Sequence, residues 1–300
     1  MANAPIALFT FKRPAHTLRT LQALDCNPEF QHSTLHIYCD GSRRADEDED
    51  VNATRQVVRE WSHPKKIIHE ASSNLGLAAS IIAGVSDLCE RYGAVIVVED
   101  DLVVAPVFLD FLNRARVSYA DNPRVMQVSG HMFPVDLSVA DTDSVFLPFT
   151  TSWGWATWQR AWACFDPDMR EYDRLANDRS LRRRFDLDDA YPYFAMLKKQ
   201  KKGQIDSWAI RWYLSVFMRD GLVLYPSRSL VRNDGFDGSG THNSNREHAS
   251  MLQLPSSKLS PEGMLPECGE SAKRVVFKHL KASRGGIRRF ADWYRRGFVI

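Results

Sequence analysis

Apolar runs starting at Ile6 (Ile-Ala-Leu-Phe), Leu35 (Leu-His-Ile-Tyr-Cys), Lys66 (Lys-Ile-Ile-His) and Ala94 (Ala-Val-Ile-Val-Val) recur about every thirty residues, the spacing of successive βα units. Between them the apolar positions change to a helical period. Leu18, Leu21 and Leu24 follow Pro14, a second stretch runs from Val51 to Trp61, and Leu77, Ala78, Ile81, Val85 and Leu88 share one face. The alternation predicts right-handed crossovers and a parallel sheet whose ligand crevice lies at the strand C-termini. A later run, Leu222-Val223-Leu224-Tyr225, also reads as a strand.

Polar residues collect where these strands end: Thr10-Phe11-Lys12-Arg13, Asp40-Gly41-Ser42, Ser73-Asn74-Leu75-Gly76 and Glu99-Asp100-Asp101. The last of these follows four apolar residues, Val95 to Val98, and adjacent carboxylates at a buried strand end suit a divalent metal held over a diphosphate. Capping of the next helix is a weaker reading, because that helix is expected to open at Ala105-Pro106, beyond Leu102-Val103-Val104. In an extended chain Glu99 and Asp101 would face one side and Asp100 the other. Asp40-Gly41-Ser42 fits a base or ribose as well as an ordinary turn, and Arg13 fits a phosphate. No Walker A sequence or GxGxxG opens any unit, which argues against a P-loop NTPase and a dinucleotide-binding Rossmann domain. The acidic run Asp46 to Asp50 is read as surface charge complementing the helix near Val51.

A hydrophobic content of 44% over 300 residues is ample for a core. Five scattered cysteines, Cys26, Cys39, Cys89, Cys164 and Cys268, show no CxxC pair and fit a reduced compartment. The N-terminus has no basic leader, and no run approaches the roughly 20 apolar residues of a membrane span. The expected location is therefore cytoplasmic. The net charge of +2 hides an asymmetry: residues 273–296 hold nine Lys and Arg against one acid, leaving a net −6 on the rest. Ile287, Phe290, Ala291 and Tyr294 form an apolar stripe among those arginines, predicting a helix peripheral on an anionic membrane, on its inner face, with a solvated docking helix as the bland alternative. No nucleic-acid motif accompanies the basic charge, so no nucleic acid is expected as a partner.

Pro5-Ile6-Ala7-Leu8-Phe9-Thr10-Phe11-Lys12-Arg13-Pro14, Asn74-Leu75-Gly76-Leu77-Ala78 and Glu99-Asp100-Asp101 together resemble the GT-A fold glycosyltransferases, in particular family-two-like members, over roughly residues 4 to 245. The Glu at the first position of the metal motif is similar to that of N-acetylglucosaminyltransferases acting on mannose. The resemblance implies an α/β, Rossmann-like fold: a mixed, mainly parallel central sheet flanked by helices, in a single domain with a C-terminal helical tail. The expected division is a glycosyltransferase domain over 1–250 (nucleotide-binding half 1–105, acceptor half 106–250), then a linker and basic amphipathic tail over 251–300. It also implies Mn2+ or Mg2+ as cofactor with Asp101 as direct ligand, and donor contacts from Thr10, Phe11, Arg13, Asp40, Asn74, Gly76, Glu99 and Asp100.

Three constellations in the second half extend the likeness. In Thr151-Ser152-Trp153-Gly154-Trp155-Ala156-Thr157-Trp158, Trp155, Trp158 and Trp162 fall at i, i+3 and i+7 and predict a helix face packed on the sheet. Trp153-Gly154 looks like the glycine loop that approaches donor and acceptor, so the resemblance implies acceptor contacts from Trp153, Gly154, Trp155 and Trp208. Asp206, within Gly203-Gln204-Ile205-Asp206-Ser207-Trp208, reads equally as a catalytic base and as the N-cap of a helix over 207–218; the resemblance favours the base. His242, in the glycine-rich stretch from Asn233 to Asn243, looks like the C-terminal histidine that many such enzymes give to the metal. The implied activity is inverting transfer from a nucleotide diphosphate sugar, a UDP-sugar first, to a glycan or lipid-linked acceptor. The rivals are a sugar-phosphate nucleotidyltransferase, whose glycine-rich loop after the first strand is missing here, and a non-catalytic sugar-nucleotide-binding module.

Overall fold

The computed structural model describes residues 2–137, 142–235 and 254–283. Its N-terminal half follows the alternation of the sequence: β1 (Ile6–Thr10), α1 (Pro14–Asp25), β2 (Leu35–Cys39), α2 (Asp48–Glu60), β3 (Lys66–Glu70), α3 (Leu77–Tyr92) and β4 (Ala94–Glu99). Each helix starts and stops where local chemistry dictates. Pro14 sits at the first position of α1, and Gly93 closes α3 in the left-handed region at φ 77°, which costs glycine nothing. Helix α2 begins three residues earlier than its apolar pattern, so Asp48, Glu49 and Asp50 lie inside its first turn against the positive end of its dipole.

Beyond β4 come β5 (Leu102–Val104), α4 (Phe108–Ser118), β6 (Val125–Ser129), β7 (Ser144–Leu147), β8 (Trp155–Trp158), α5 (Gln159–Trp162), α6 (Tyr172–Asn177), α7 (Arg179–Phe185), α8 (Tyr193–Lys201), α9 (Trp208–Phe217), β9 (Leu222–Pro226), β10 (Val231–Asn233) and α10 (Glu270–Ser283). Eight strands form one sheet in the order β3-β2-β1-β4-β8-β6-β9-β7, and β5 pairs with β10 in a separate antiparallel ribbon. β1 runs parallel to β2 and β4, β2 to β3, and β6 to β9; β8 is antiparallel to both β4 and β6, and β7 to β9. The fold is thus mixed α/β, with a mainly parallel central sheet flanked by helices in a single domain.

Three local expectations change. Trp155 and Trp158 lie on strand β8 rather than on a helix, and only Gln159–Trp162 is helical. Burial on both faces of the sheet made the aromatic spacing look helical when it was not. Helix α4 opens at Phe108, two residues after Pro106. Residues 254–283, expected as linker and tail, pack onto the domain: Glu262 pairs with Arg114 at 2.5 Å, Tyr119 donates its hydroxyl to the Pro261 carbonyl at 2.9 Å, and α10 buries Ala272, Val276 and Leu280 in the core. The arginine-rich stripe around Ile287 to Tyr294 lies outside the described residues. No helix among the described residues is long and apolar enough to cross a membrane.

Between β2, β3 and α3 sits an imidazole pair, His36 buried and His69 half-buried. His36 Nδ1 lies 3.1 Å from His69 Nε2, His36 Nε2 lies 3.3 Å from the Tyr92 hydroxyl, and Tyr38 stacks on His69 at 4.4 Å. Burial, helped by the charges of His69 and Arg91 and opposed by Asp87, pushes His36 down to about 4. A histidine whose folded pKa is depressed keeps its full stability above its unfolded pKa near 6.5 and loses it as pH falls toward the folded value. Going from about pH 7 to about pH 5 is therefore expected to cost up to about 2 kcal/mol of unfolding free energy. Urea titrations at the two pH values check this, and a His36→Gln protein should show a flatter profile; equal stability of the native protein at both values would sink it.

Candidate functional site

The order β3-β2-β1-β4 reverses direction between β1 and β4: from β1 the chain moves outward to β2 and β3, and β4 returns to the other side of β1. In an open α/β sheet a ligand crevice forms at the carboxyl ends of the strands that flank such a reversal. Phe9 and Glu99 are register partners there, so the loop Thr10–Arg13 faces the acids directly.

The two loops are tied together. Arg13 Nη2 reaches Asp100 Oδ1 at 2.5 Å and Asp101 Oδ2 at 3.2 Å. The Phe11 amide donates to Asp100 Oδ2 at 3.2 Å, and the Thr20 hydroxyl donates to the Asp100 carbonyl at 2.8 Å. The chain turns immediately after Glu99, so Asp100 and Asp101 meet on one guanidinium instead of facing opposite sides. Behind Asp101 lies the start of the glycine-rich stretch: the Asp234 amide donates to the Asp101 carbonyl at 2.8 Å, and Arg232 holds Asp234 at 2.7 Å. A Cβ on Gly235 would stand 2.4 Å from Asp101 Oδ2, so only glycine allows this approach.

Glu99, Asp100 and Asp101 are all buried, and the Arg13 guanidinium pairs with Asp100 and Asp101 but not with Glu99. Burial, then the charges of Asp101 and Asp100, raises the Glu99 carboxyl well above the ordinary range, against the pull of Arg13. Burial also raises Asp100, opposed mainly by Arg13. Burial disfavours the charge on Arg13, yet the two aspartates override it and the guanidinium is held more firmly protonated than usual. The Glu99 carboxyl makes no hydrogen bond to another described residue. The donor set is all carboxylate oxygen and its negative charge is under-compensated, which suits a hard divalent cation. Among the described residues, no three His, Cys, Asp or Glu side chains converge on one point; His242 lies outside those residues.

Other expected donor contacts are engaged in building the wall of the crevice. Asp40 accepts from the Gly41 and Leu75 amides at 2.8 Å each and from Asn74 Nδ2 and the Gly76 amide at 3.0 Å each. Asn74 Nδ2 also donates to the Gly41 carbonyl at 2.7 Å. Asp40, Asn74 and Gly76 thereby lock the ends of β2 and β3 to the start of α3. Thr10 is buried, its hydroxyl directed at the Tyr38 carbonyl at 3.4 Å. The Phe11 ring lies 5.7 Å from Lys12 Nζ and 5.1 Å from the Arg43 guanidinium. Glu47, inside the acidic run read as surface charge, is buried: it pairs with Lys12 at 2.6 Å and accepts the Arg43 amide at 2.9 Å.

The C-terminal end of β6 and the N-terminal end of antiparallel β8 reach the same edge. Gly154, at φ 60°, accepts from the Gly130 amide at 2.6 Å, and a Cβ there would stand 2.9 Å from both Phe108 and Val231. Trp153 is half-buried with His131 edge-on at 4.6 Å. Sequence reasoning missed His131; it stands outside every strand run, and only its position after β6 marks it. Burial pushes it down to about 3, so it is neutral, with Nδ1 3.4 Å from the Ser229 hydroxyl. Trp155 and Trp208 are 0% and 2% exposed and stack on each other at 5.1 Å. Their rings are spent on the core, whereas Trp153 is only partly buried.

Asp206 is not the cap of the helix after it. Ser207 occupies the cap position of α9, its hydroxyl accepting from the Ile210 amide at 3.4 Å. The Asp206 side chain is 69% exposed and pairs with Arg211 at 2.7 Å. Trp208 stacks on Trp155, whose strand partner Val97 precedes Glu99 by two residues, so the N-terminus of α9 lies toward the edge that carries the acids.

The molecule is therefore a mixed α/β protein with a buried acid-and-arginine cluster at the switch point of its sheet. Neither a family model nor a curated protein matches the sequence. Among solved structures the chain is similar to a mannosyltransferase from Pyrobaculum calidifontis in complex with GDP-Man and Mn2+, with TM-score 0.37 and 15% identity over 52% of this chain and 44% of that one. Mouse xyloside xylosyltransferase 1 gives TM-score 0.37 and 12% identity over 73% and 82% of the two chains. A cytidylyltransferase from Leptospira borgpetersenii gives TM-score 0.33 and 8% identity over 57% and 66%. The match spans less than half of the mannosyltransferase, and likenesses this remote carry no argument for an activity.

Proposed function

We propose that the chain is a GT-A type glycosyltransferase that moves a sugar from a nucleotide diphosphate sugar, a UDP-sugar first, to a hydroxyl of a glycan or lipid-linked acceptor with inversion. The observation that carries this reading is the meeting of Arg13 with Asp100 and Asp101 beside the buried Glu99 at the switch point, with Trp153 and the start of α9 toward the same edge. In this reading Asp101 and Glu99 hold Mn2+ or Mg2+, and Asp100 keeps Arg13 in place. A divalent cation there supplies charge stabilisation to the departing diphosphate. Arg13 contributes a fixed positive charge beside the same diphosphate, placed before the reaction starts. The Asp40–Asn74 lock shapes the nucleotide side, and Trp153 offers an aromatic face to the acceptor sugar. Asp206 takes the proton from the acceptor hydroxyl as the glycosidic bond to the donor breaks. A sugar-phosphate nucleotidyltransferase remains disfavoured, because Thr10-Phe11-Lys12-Arg13-Pro14 offers no glycine-rich loop to a triphosphate.

A ligand that binds only the folded protein stabilises it by mass action, about 2.7 kcal/mol at a hundredfold excess over Kd. A thermal-shift screen of UDP-, GDP- and dTDP-sugars with and without manganese should show one nucleotide class raising the midpoint by several degrees, only with the metal. A midpoint indifferent to every nucleotide in the presence of manganese would remove the reading.

A further inference from the structure

The end of helix α8 carries Lys198, Lys199, Lys201 and Lys202, all exposed, and none forms an ion pair with a described residue. A helix C-terminus favours one or two cations through its dipole, but four in five positions exceed that need, and the end is already closed by the Lys202 amide on the Lys198 carbonyl at 3.2 Å. Three acids that precede the helix in the chain have other partners. Asp178 caps α7, Asp189 pairs with Arg183 at 3.3 Å, and Asp186 accepts the Phe194 amide at 2.7 Å.

This basic end is also held in place. Lys201 Nζ stands 5.5 Å from the Tyr172 ring, Tyr172 stacks on Phe194 at 6.0 Å, and the Arg182 guanidinium lies 5.7 Å from Phe194 on the other side. Two cations thus rest on one stacked aromatic pair, an arrangement that fixes them without neutralising them. The loop that follows is tied to the same helix: the Gln204 amide donates to the Lys199 carbonyl at 3.0 Å, and the Ser207 amide donates to Gln200 Oε1 at 2.7 Å. Asp206 sits inside that loop, four residues past Lys202.

We propose that Lys198, Lys199, Lys201 and Lys202 form an anchoring surface for an acceptor that carries a phosphate ester. The inference rests on the transferase reading above and adds the chemical class of the acceptor. The donor diphosphate has its own cation, Arg13, in the crevice between β1 and β4. The lysines precede Asp206, the residue assigned to the acceptor hydroxyl, by four to eight residues, and the loop between them is tied back to α8. An anion seated on them is tethered next to that carboxylate, and the positive field raises the encounter rate of an acidic acceptor.

The test uses the full chain and a soluble fluorescein-labelled oligosaccharide bearing one phosphomonoester, compared by anisotropy with its dephosphorylated twin. The phosphorylated probe is expected to bind about tenfold more tightly at low salt, with the difference shrinking as salt screens it. The K198Q/K199Q/K201Q/K202Q protein should lose the preference, and K201Q/K202Q should lose part of it should the fourfold variant fail to fold. Equal binding of the two probes overturns the proposal, as does a preference that survives the lysine substitutions. Lysine-dependent binding to phosphatidylglycerol vesicles without discrimination between the probes assigns the surface to a membrane and also overturns it. The probe preference is read without turnover, so a missing transfer activity beside an intact preference counts against the transferase reading alone.

Discussion

Asp101→Asn is expected to lower sugar transfer about a hundred- to a thousandfold while leaving the fold as stable as before. The two halves of this expectation have one cause. Glu99, Asp100 and Asp101 are buried around a single guanidinium, and the charge of Asp101 is, after burial, the largest influence raising the Glu99 carboxyl. A neutral amide of the same shape relieves that repulsion and still fills the space against Gly235, while Asp100 retains Arg13. What the amide lacks is a charged oxygen for a divalent cation. Stability held at the expense of activity is the pattern of a site built for function. Product formation from a nucleotide diphosphate sugar, measured with the thermal midpoint, decides the matter: wild-type turnover in Asp101→Asn would take Asp101 out of the machinery. A folded protein with lost turnover that excess manganese partly restores would assign the loss to weakened metal affinity.

The first half of the chain was legible because each apolar run there is bounded by turn residues and separated by one helical pattern. Ile6, Leu35, Lys66 and Ala94 open strands as expected. Beyond Glu99 the rules compete. Trp155 and Trp158 satisfy a helical period but are buried on a central antiparallel strand, where both faces are covered and alternation disappears. The short strands β5, β7 and β10 have three or four residues each and depend on partners distant in sequence, which periodicity does not see. At the site, the placement of Arg13 and the acids at strand ends was readable, because strand order follows from the crossover rule. The chain turn after Glu99, the internal bonding of Asp40 and the buried Glu47–Lys12 pair were not, since each depends on how one loop meets another. His131 left no periodic signal and emerges only from the packing of Trp153.

Asp206→Asn is expected to slow transfer about a hundred- to ten-thousandfold with the thermal midpoint unchanged. The structure separates two roles that the sequence leaves entangled. Ser207 caps α9, so Asp206 owes the helix nothing through its side chain. Its one described partner is Arg211, whose Nε also donates to the Ser207 carbonyl at 3.1 Å, so the guanidinium stays anchored when the carboxylate becomes an amide. An ion pair on a side chain as exposed as Asp206 contributes little to stability. The loss is therefore chemical: an amide has no charge with which to accept the hydroxyl proton. In the proposed role the carboxylate acts on the acceptor rather than on the leaving diphosphate, so hydrolysis of the donor by water should fall less than transfer. Parallel assays of transfer and donor hydrolysis read this split, and Ser207→Ala serves as the contrast: it should cost about 1 kcal/mol of cap energy, lowering the midpoint, and leave the ratio of the two rates alone. An Asp206→Asn protein that loses stability but keeps its transfer rate would return Asp206 to a structural role and leave the proton acceptor to be sought elsewhere along the edge that carries Trp153.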